Sequence, residues 1–389
     1  MPKNDIVCVA FPAWEGNYLK STVQLMTELA RLGHRILYVD YAYTWKDFAQ
    51  SLMGKGFATW RRMIGIEQRL RTVSLGNGAE IYVLTLPPIL PINFLKNPNA
   101  YDSLNAVNAF FIKNAILKAM KTIGMTTPTV VNAFNPSLGN LLAGKLNESK
   151  LIYYCYDDIG AATWASRHGE RLETTFLKKT DAIIVTSQGL FDKKSKQNTS
   201  CFLIKNGVDY DLFSQQTSSL LSIPLEKDKK TIGYLGSVDE RVDYDLLEKL
   251  ISTTPQYHYV FVGRVTQSAY EKRLSAFPNV IIVGSQLPVT LPAWVQKFDV
   301  CLIPFVKNEL TKGIYPLKIN EYLAAGKPVV ATRFADLSDF ESVVHIADDD
   351  NTFLQLAQGD YSNTDTNRLK HFASQNSWAA RSTEFSKLL

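Results

Sequence analysis

Short apolar runs alternate with amphipathic stretches along this 389-residue chain, and this alternation limits the possible fold more than any other feature. Ile6 to Phe11 predicts a buried strand, residues 19–32 a helix, and residues 35–39 the next strand. Strand, helix and strand in this order form a βαβ unit, whose right-handed crossover makes the two strands parallel. Further strands are predicted at residues 80–84, 129–132, 151–156, 182–186 and 202–204, and then at 231–235, 257–262, 280–283, 300–304, 329–331 and 345–347. The two runs of strands predict an α/β protein of two domains.

Residues 315–332 are the most informative stretch, with the sequence Y-P-L-K-I-N-E-Y-L-A-A-G-K-P-V-V-A-T. The pattern predicts a loop, then a short helix from Lys318 to Ala325, then a buried strand from Val329. The N-terminus of such a helix presents free backbone N–H groups and partial positive charge, which suit a phosphate. Lys318 adds a full charge there, and Glu321 lies one turn further along the same face. The alternative is an ordinary buried βα unit in which Lys318 and Glu321 form a solvated pair.

The stretch resembles the C-terminal-domain signature of GT-B glycosyltransferases. The closest likeness is to the retaining family 4-like group and its branch of teichuronic acid and other cell-surface polysaccharide enzymes. The turn Asn206 to Asp209, followed by Phe213, and the run Thr186 to Leu190 match the same family. The resemblance implies a GT-B fold, with two Rossmann-like domains whose parallel sheets face each other across a cleft. We expect an acceptor-binding domain at residues 1–210, a nucleotide-sugar-binding domain at 211–365, and a final helix at 366–389 that crosses back to the first domain.

In this family the helix N-terminus meets the donor diphosphate, and the glutamate at the Glu321 position holds the nucleotide ribose. The resemblance and the predicted strand ends together indicate a donor site formed by Gly236, Ser237, Arg241, Arg264, Leu287, Tyr315, Leu317, Lys318 and Glu321. The alternative for Arg241 is a surface ion pair with Asp239 or Asp245. The family's first glutamate, eight positions before Glu321, is replaced here by Gly313, and the nearest acid is Glu309. This departure leaves the donor sugar open.

Adjacent carboxylates, Asp157 and Asp158, end a predicted strand of the first half. Such a pair could raise the pKa of one member, which suits a general base for the acceptor hydroxyl. The alternative is that one of them caps a helix. Gly16 lies in the loop after the first strand, where α/β sheets bind ligands, and it is a candidate for close approach to a substrate. His168 is predicted to be structural. No residues have metal-ligand spacing, and we predict neither a metal nor another cofactor.

Residues 45–71 interleave basic and aromatic side chains, which predicts a surface that rests on anionic lipid. The alternative is a pair of solvated helices that pack their aromatic rings on the core. A net charge of +5 fits anionic substrates or a membrane surface and does not single out nucleic acid. Four scattered cysteines and the lack of any apolar run near ~20 residues predict a cytoplasmic protein without a membrane span, peripheral on the inner face of the membrane.

The sequence therefore predicts a glycosyltransferase that uses a UDP-, GDP- or dTDP-sugar and extends a bacterial surface glycan or a lipid-linked acceptor. One alternative is a GT-B epimerase that hydrolyses UDP-GlcNAc, although the histidines and acids of that chemistry are not seen. The other alternative is a non-catalytic GT-B module that binds a glycan or a partner enzyme, and the missing first glutamate supports it. Nucleic acid is not predicted as a partner.

Overall fold

The computed structural model describes residues 3–16, 19–54, 60–160, 167–215, 225–226 and 228–389. The chain groups into two compact units, Met1–Lys205 with Arg381–Leu389, and Asn206–Ala380. Most of the linker predicted at residues 215–230 lies outside the described residues. The predicted domain limits at residues 210 and 365 stay predictions, because a compact unit is a geometric grouping and a domain is a unit of folding.

An eight-stranded sheet forms the centre of the first unit. Its strands are β1 Asp5–Ala10, β2 Arg35–Val39, β3 Leu70–Ser74, β4 Glu80–Leu84, β5 Thr129–Ala133, β6 Lys150–Cys155, β7 Ala182–Val185 and β8 Cys201–Leu203. They lie in the order β3-β4-β2-β1-β5-β6-β7-β8. The strands β5 and β7 are buried along their whole length, and β7 accordingly reads as a continuous apolar run rather than as an alternating one.

The edge strand β3 was not predicted, and it pairs antiparallel with β4 in an otherwise parallel sheet. Its first residues, Leu70 and Arg71, belong to the segment that was predicted to be helical and membrane-facing. Gly76 and Gly78 both have positive φ, and the Ala79 N–H donates to the Gly76 carbonyl at 3.0 Å, so the chain reverses tightly between the strands. The Asn77-Gly78 pair is a common hairpin signal, and it could have revealed this strand.

The helices of the first unit are α1 Ser21–Arg31, α2 Trp45–Leu52, α3 Trp60–Met63, α4 Pro98–Ile123, α5 Pro136–Leu142, α6 Gly169–Leu177 and α7 Gln188–Lys194. The longest of them, α4, begins where the Asn97 side chain accepts hydrogen bonds from the N–H groups of Asn99 and Ala100. It ends at Gly124, whose φ of 70° is the left-handed conformation of a helix C-cap.

The C-terminal residues complete the first unit. The Ser386 hydroxyl lies 2.8 Å from Nε2 of His34, and the Lys150 ammonium donates to the carbonyl of Leu388 at 2.6 Å. The ring of Phe385 also packs edge-on against Tyr154. These contacts attach residues 381–389 to β6 and to the turn between α1 and β2.

Six parallel strands form the sheet of the second unit. They are β9 Thr231–Leu235, β10 His258–Val262, β11 Val280–Gly284, β12 Val300–Ile303, β13 Val329–Thr332 and β14 His345–Ala347, and each agrees with its predicted position to within two residues. Their order is β11-β10-β9-β12-β13-β14. The chain therefore moves outward from β9 to one edge and then returns to the other side of β9. Ligands of α/β proteins bind at such a switch point, outside the carboxyl ends of the strands.

The helices of the second unit are α8 Tyr210–Ser214, α9 Tyr244–Thr253, α10 Ser268–Ser275, α11 Leu291–Gln296, α12 Glu309–Lys312, α13 Leu317–Ala324, α14 Asp350–Gln358 and α15 Thr366–Gln375, and α16 Trp378–Ser386 begins in this unit. The single helix predicted from residue 366 to the end is therefore wrong, since α15 and α16 are separate. Val208 contacts the segment between the two helices through two hydrogen bonds of 3.0 Å. Its N–H donates to the Asn376 carbonyl, and its carbonyl accepts from the Trp378 N–H. A side chain at Gly207 would lie 2.6 Å from the Trp378 nitrogen, so this turn requires glycine.

Candidate functional site

Glycines close the carboxyl ends of two central strands of the second unit. Gly236 follows β9 with φ of 143°, and Gly263 follows β10 with φ of 148°, a conformation that L-residues with a side chain rarely adopt. A Cβ at Gly263 would lie 2.1 Å from the carbonyl oxygen of Gly236, and a Cβ at Gly236 would lie 1.9 Å from Cε of Lys318. The backbones at Gly236 and Gly263 and the Lys318 side chain therefore lie so close together that only glycine fits at these two positions.

The helix α13 is held against the end of β9 by a buried phenol. The hydroxyl of Tyr322, on α13, accepts a hydrogen bond from the Leu235 N–H at 2.7 Å. This bond places the first turn of α13 beside Gly236. Pro316 precedes the helix and no side chain caps it, so the N–H groups of Leu317 and Lys318 have no acceptor among the described residues.

The prediction that the Gly236 N–H faces a phosphate is corrected by the structure. The Gly236 N–H donates to the Val262 carbonyl at 2.8 Å, so it already has a partner within the sheet. The N–H of Ser237 has no acceptor in the described part of the chain, and the Ser237 carbonyl accepts from the Tyr234 hydroxyl at 2.8 Å. At this strand end, Ser237 is therefore the residue whose amide is free for a ligand, and Gly236 provides the space for it.

Two cationic side chains approach the buried ring of Phe305. The Lys318 ammonium lies 5.9 Å and the Arg241 guanidinium 5.6 Å from the ring centroid. The Arg241 Nε also donates to the Asp239 carboxylate at 2.8 Å, so the predicted alternative of an ion pair with Asp239 is confirmed. Lys318 makes no hydrogen bond or ion pair with any residue that the structure describes. The positive charge of Lys318 is therefore available to a ligand at the start of α13.

The environment of Lys318 disfavours its charge. Burial and the neighbouring Arg241 lower the pKa of the Lys318 ammonium, while the carboxylates of Glu321 and Asp239 act in the opposite direction. An anion that entered the site would stabilise the charged form of Lys318, since no described residue forms an ion pair with it.

Glu321 lies one turn further along α13 and is 6% exposed. Burial raises the pKa of its carboxyl group, the Asp209 carboxylate raises it further, and Lys318 opposes both effects. Its carboxylate has no hydrogen-bond partner within the described ranges. A buried carboxylate without donors is costly, and a ligand that offers hydroxyl groups would relieve that cost.

The other predicted donor-site residues lie around this centre with less direct contact. The phenol of Tyr315 accepts from the Asn320 side chain at 3.1 Å, beneath the loop that leads into α13. The Arg264 carbonyl accepts from the Val238 N–H at 2.9 Å, while the Arg264 side chain is exposed. Leu287 follows β11 and is 55% exposed. The described contacts thus join Gly236, Arg241 and Lys318, and they do not bring Arg264 or Leu287 onto them.

The predicted rise of a carboxyl pKa at the end of β6 is wrong for Asp158. Burial alone would raise its pKa, but hydrogen bonds from Lys193 at 2.9 Å and from the Gly160 N–H at 3.0 Å outweigh burial and lower it. Asp158 thus accepts a local backbone hydrogen bond, but no helix begins beside it in the described residues, so the alternative of a helix cap stays a prediction. The neighbouring carboxylate of Asp157 is exposed and accepts from the Asp158 N–H at 2.9 Å.

The loop that carries Gly16 is tied to the first unit at several points. The Trp14 N–H donates to the Asp40 carboxylate at 2.8 Å, and the Lys20 ammonium donates to the Ala13 carbonyl at 2.5 Å. Gly16 itself has φ of 152° and is exposed. The predicted contact of Gly16 with a substrate stays a prediction, and residues 17–18 lie outside the described part.

A cavity of about 460 Å³ opens in the first unit, among the loops that follow β1, β2, β4, β5 and β6. Its wall includes Tyr101, Asn105 and Asn108 of α4, together with Ser137 of α5. The Asn105 amide and the Tyr101 hydroxyl both reach the Ser137 hydroxyl, at 2.8 and 3.0 Å. These residues were not predicted. Two asparagines within the buried stripe of an amphipathic helix were the signal that could have revealed them.

His168 also lines this cavity, and its ring is fixed on two sides. It stacks on Tyr101 with ring centroids 4.2 Å apart, and its Nε2 lies 2.8 Å from the Leu95 carbonyl. The other ring nitrogen, Nδ1, is buried without a hydrogen-bond partner among the residues that the structure describes. The structural role predicted for His168 accounts for the first two contacts and leaves Nδ1 unexplained.

The described residues contain neither a metal-binding cluster nor a membrane-spanning helix. No group of three or more histidine, cysteine or acidic side chains is placed to hold a metal ion. Among the helices of the described ranges, none combines the length and apolar character needed to cross a bilayer. The predicted independence from a metal stays a prediction.

Comparison with known proteins agrees with this architecture. Residues 229–360 match the family model described as Glycosyl transferases group 1. TuaH of Bacillus subtilis strain 168, provisionally assigned as a glycosyltransferase of teichuronic acid biosynthesis, is 25% identical over 218 residues, which cover 52% of this chain and 55% of TuaH. The match thus spans about half the length of that relative.

Solved structures resemble the whole chain. Sucrose-phosphate synthase from Thermosynechococcus elongatus has a TM-score of 0.70 at 16% identity, over 100% of this chain and 98% of that one. Anabaena HepE, in complex with UDP and glucose, has a TM-score of 0.67 at 11% identity, over 99% of both chains. At such identities the likeness establishes the fold. This chain therefore has the GT-B fold, its residues 229–360 match the group 1 glycosyl transferases, and about half of it is similar to TuaH.

Proposed function

We propose that this protein is a glycosyltransferase that moves a sugar from a nucleotide-diphosphate donor to a bacterial surface glycan or a lipid-linked acceptor. The observation that carries the proposal is the contact between Lys318 and Gly236 at the start of α13. It brings an unpaired cation and the free N–H groups of Ser237, Leu317 and Lys318 to the carboxyl edge of one sheet. Cationic and N–H donors at a helix N-terminus are the groups that stabilise a departing diphosphate.

The nucleotide is proposed to lie across the first turns of α13. The diphosphate would contact Lys318 and the free amides, with Arg241 nearby, and Glu321 would accept hydrogen bonds from ribose hydroxyls. Arg264, Leu287 and Tyr315 complete the proposed donor site. UDP is the first nucleotide to test among the UDP, GDP and dTDP series, since HepE was solved with UDP and glucose. Because Lys318 supplies the charge, the proposal requires no metal ion.

The acceptor is proposed to occupy the cavity of the first unit. Amide and hydroxyl groups on one wall and aromatic rings on another suit a sugar, whose ring has polar edges and apolar faces. The name of TuaH supports a surface-glycan acceptor. Asp157, Asp158 and Gly16 stay the predicted residues for acceptor activation and contact. Of the two acids, Asp158 is the weaker candidate for a base, since Lys193 lowers its pKa.

A cytoplasmic location with peripheral attachment to the membrane is part of the proposal. Residues 45–71 were predicted to make this contact. Within them Trp45, Leu52 and Met53 have exposed side chains, whereas Met63 is buried and residues 55–59 lie outside the described ranges. Exposed apolar side chains beside basic residues support lipid contact.

The proposal is tested by incubating the protein with UDP-, GDP- and dTDP-sugars and measuring release of the nucleoside diphosphate, with and without acceptor glycans. Binding of each nucleotide is measured by calorimetry. We expect one nucleotide to bind, and we expect its sugar to be consumed. Lys318→Met should weaken that binding, whereas Lys312→Met, which removes an exposed lysine on α12, should not.

A non-catalytic GT-B module is the second candidate, and one observation favours it. Glu309, the acid nearest to the position of the missing glutamate, has an almost fully exposed side chain and pairs loosely with Lys312. It therefore does not replace that glutamate inside the site. No binding to any of the three nucleotides would favour this module, whereas consumption of one nucleotide sugar would contradict it.

A further inference from the structure

The outward face of α4 carries an exposed apolar surface. Large side chains on this face are between about a third and more than half exposed, and Phe94, just before the helix, is 67% exposed. We call this set the α4 surface, and its members are Phe94, Leu104, Val107, Phe110, Phe111 and Leu117. Phe110 and Phe111 pack edge-on against each other, with ring centroids 5.6 Å apart.

The core of the first unit does not account for this surface. The opposite side of α4 already packs inward through Ile112, Ile116 and Met120, which are almost fully buried. A helix that is apolar on both sides is usually buried on both sides or contacts a partner. Isolated exposed apolar residues need no explanation, but five large apolar side chains exposed on one helix indicate an interaction surface.

The charges around the α4 surface have one sign. Lys96, Lys113, Lys118 and Lys121 lie within residues 94–124, and the sole acid of that stretch, Asp102, pairs with Arg171 at 2.8 Å. The Lys113 ammonium lies 5.7 Å from the centroid of the Phe110 ring. The α4 surface thus combines aromatic and aliphatic side chains with lysines whose charge no free acid of residues 94–124 balances. Surfaces of this composition bind anionic bilayers.

We propose that the α4 surface docks the protein on an anionic lipid membrane, with α4 lying in the plane of the headgroups. The helix has 26 residues and is about 39 Å long, so it can lie along the interface over its whole length. Its aromatic side chains insert at the headgroup level, and its lysines contact lipid phosphates.

The inference deepens the proposed membrane attachment and identifies a surface for it that residues 45–71 do not contain. The inner side of the same helix lines the cavity of the first unit through Tyr101, Asn105 and Asn108, and Phe94 lies at the cavity as well. Docking through α4 would therefore bring the cavity to the lipid surface. Where the protein acts as proposed above, this favours a lipid-linked acceptor over a free glycan.

Vesicle co-sedimentation tests the surface. The protein is mixed with phosphatidylcholine vesicles that contain about one third phosphatidylglycerol, and with vesicles of phosphatidylcholine alone. We expect binding to the first kind, weakened by salt, and little binding to the second. Phe110→Ser combined with Phe111→Ser should lower the partition coefficient by about tenfold or more, because two large apolar side chains no longer insert. Lys118→Glu combined with Lys121→Glu should abolish the preference for the anionic lipid.

Matched variants separate this surface from the others. Phe202→Ser removes a similarly exposed ring on the edge strand β8 and should leave vesicle binding unchanged. Leu52→Ser combined with Met53→Ser tests residues 45–71. Loss of vesicle binding in that pair, with full binding in the Phe110 and Phe111 variant, would overturn the inference. The inference would also be overturned if the parent protein stayed in the supernatant. The same holds if sedimentation analysis showed that the α4 surface only forms a dimer of this chain. Lys318→Met should still bind vesicles, so the donor site and the α4 surface can fail independently.

Discussion

Replacing Lys318 by methionine should weaken binding of a nucleoside diphosphate without weakening the fold. Methionine keeps an unbranched stem of similar length, so the packing over Gly236 and Phe305 is largely retained while the charge is removed. Because Lys318 has no partner among the described residues, a bound diphosphate would be its first full partner. A hydrogen bond to a charged group contributes about 1.5–3 kcal/mol, so we expect affinity to fall roughly 10- to 150-fold.

The stability of the free protein should change in the opposite direction. The folded protein lowers the pKa of Lys318, so the unfolded chain holds this proton more tightly than the folded chain does. At neutral pH the charged ammonium therefore destabilises the fold, and this cost disappears only as pH rises from the lowered pKa towards the ordinary one. Lys318→Met removes the cost, and its Tm at pH 7 should equal or exceed that of the parent.

The assays are calorimetric titration with UDP, GDP and dTDP, and thermal unfolding from pH 6 to pH 9. Lys312→Met is the control for the general effect of losing a positive charge from this face of the unit. The reasoning is refuted if Lys318→Met binds the nucleotide as tightly as the parent does. It is also refuted if the variant loses affinity only because its Tm drops, since the lysine would then act through the fold rather than through the ligand.

Three further results are expected. Glu321→Gln should weaken nucleotide binding by about tenfold or more, which calorimetric titration measures. In the parent, the free energy of unfolding should fall as pH rises from the ordinary carboxyl pKa to the raised pKa of Glu321, and the variant should not show this fall. Thermal scans at several pH values measure it, and a variant with the parent's pH profile would contradict the burial of this carboxylate. Asp158→Asn should cost less than about 1 kcal/mol of stability, because its pair with Lys193 is partly exposed, and sugar turnover equal to that of the parent would exclude Asp158 as a base. Gly313→Glu should fold normally, since the only atom near a Cβ at this position is the Leu310 carbonyl oxygen at 4.0 Å. We expect this variant to alter the preference among donor sugars in a competition assay. A destabilised variant, or one with the same preference as the parent, would count against the assignment of this position.

The predicted GT-B fold is confirmed, and the reason lies in the local character of its signals. A fully buried parallel strand must be apolar along its whole length, and a helix that covers it must repeat every three to four residues, so both can be recognised within a short window. The fully buried strands β9, β10, β12 and β13 of the second unit were predicted for this reason. The hairpin strand β3 was missed because basic and aromatic residues over 45–71 suggested a single membrane-facing segment, which outweighed the Asn77-Gly78 turn.

The candidate site could be predicted only in part. Lys318 and Glu321 were found because one helix carries both and their spacing places them on one face. Their contacts with Gly236 and Asp209 depend on residues 82 or more positions away along the chain, and no local pattern encodes such distances. The cavity of the first unit was missed for the same reason, since its wall joins loops from five strands.

The amino-acid sequence by itself determined which segments become strands and helices, where glycine must stand, and which stretch carries the cation and the acid of the donor site. Tertiary structure alone decided that Lys318 packs on Gly236 without an ion pair among the described residues, that Lys193 lowers the pKa of Asp158, and that α4 leaves an apolar face uncovered. The physical reason is that hydrogen-bonding periodicity acts over a few residues, whereas charge pairing and burial depend on distances in space between groups far apart in the chain.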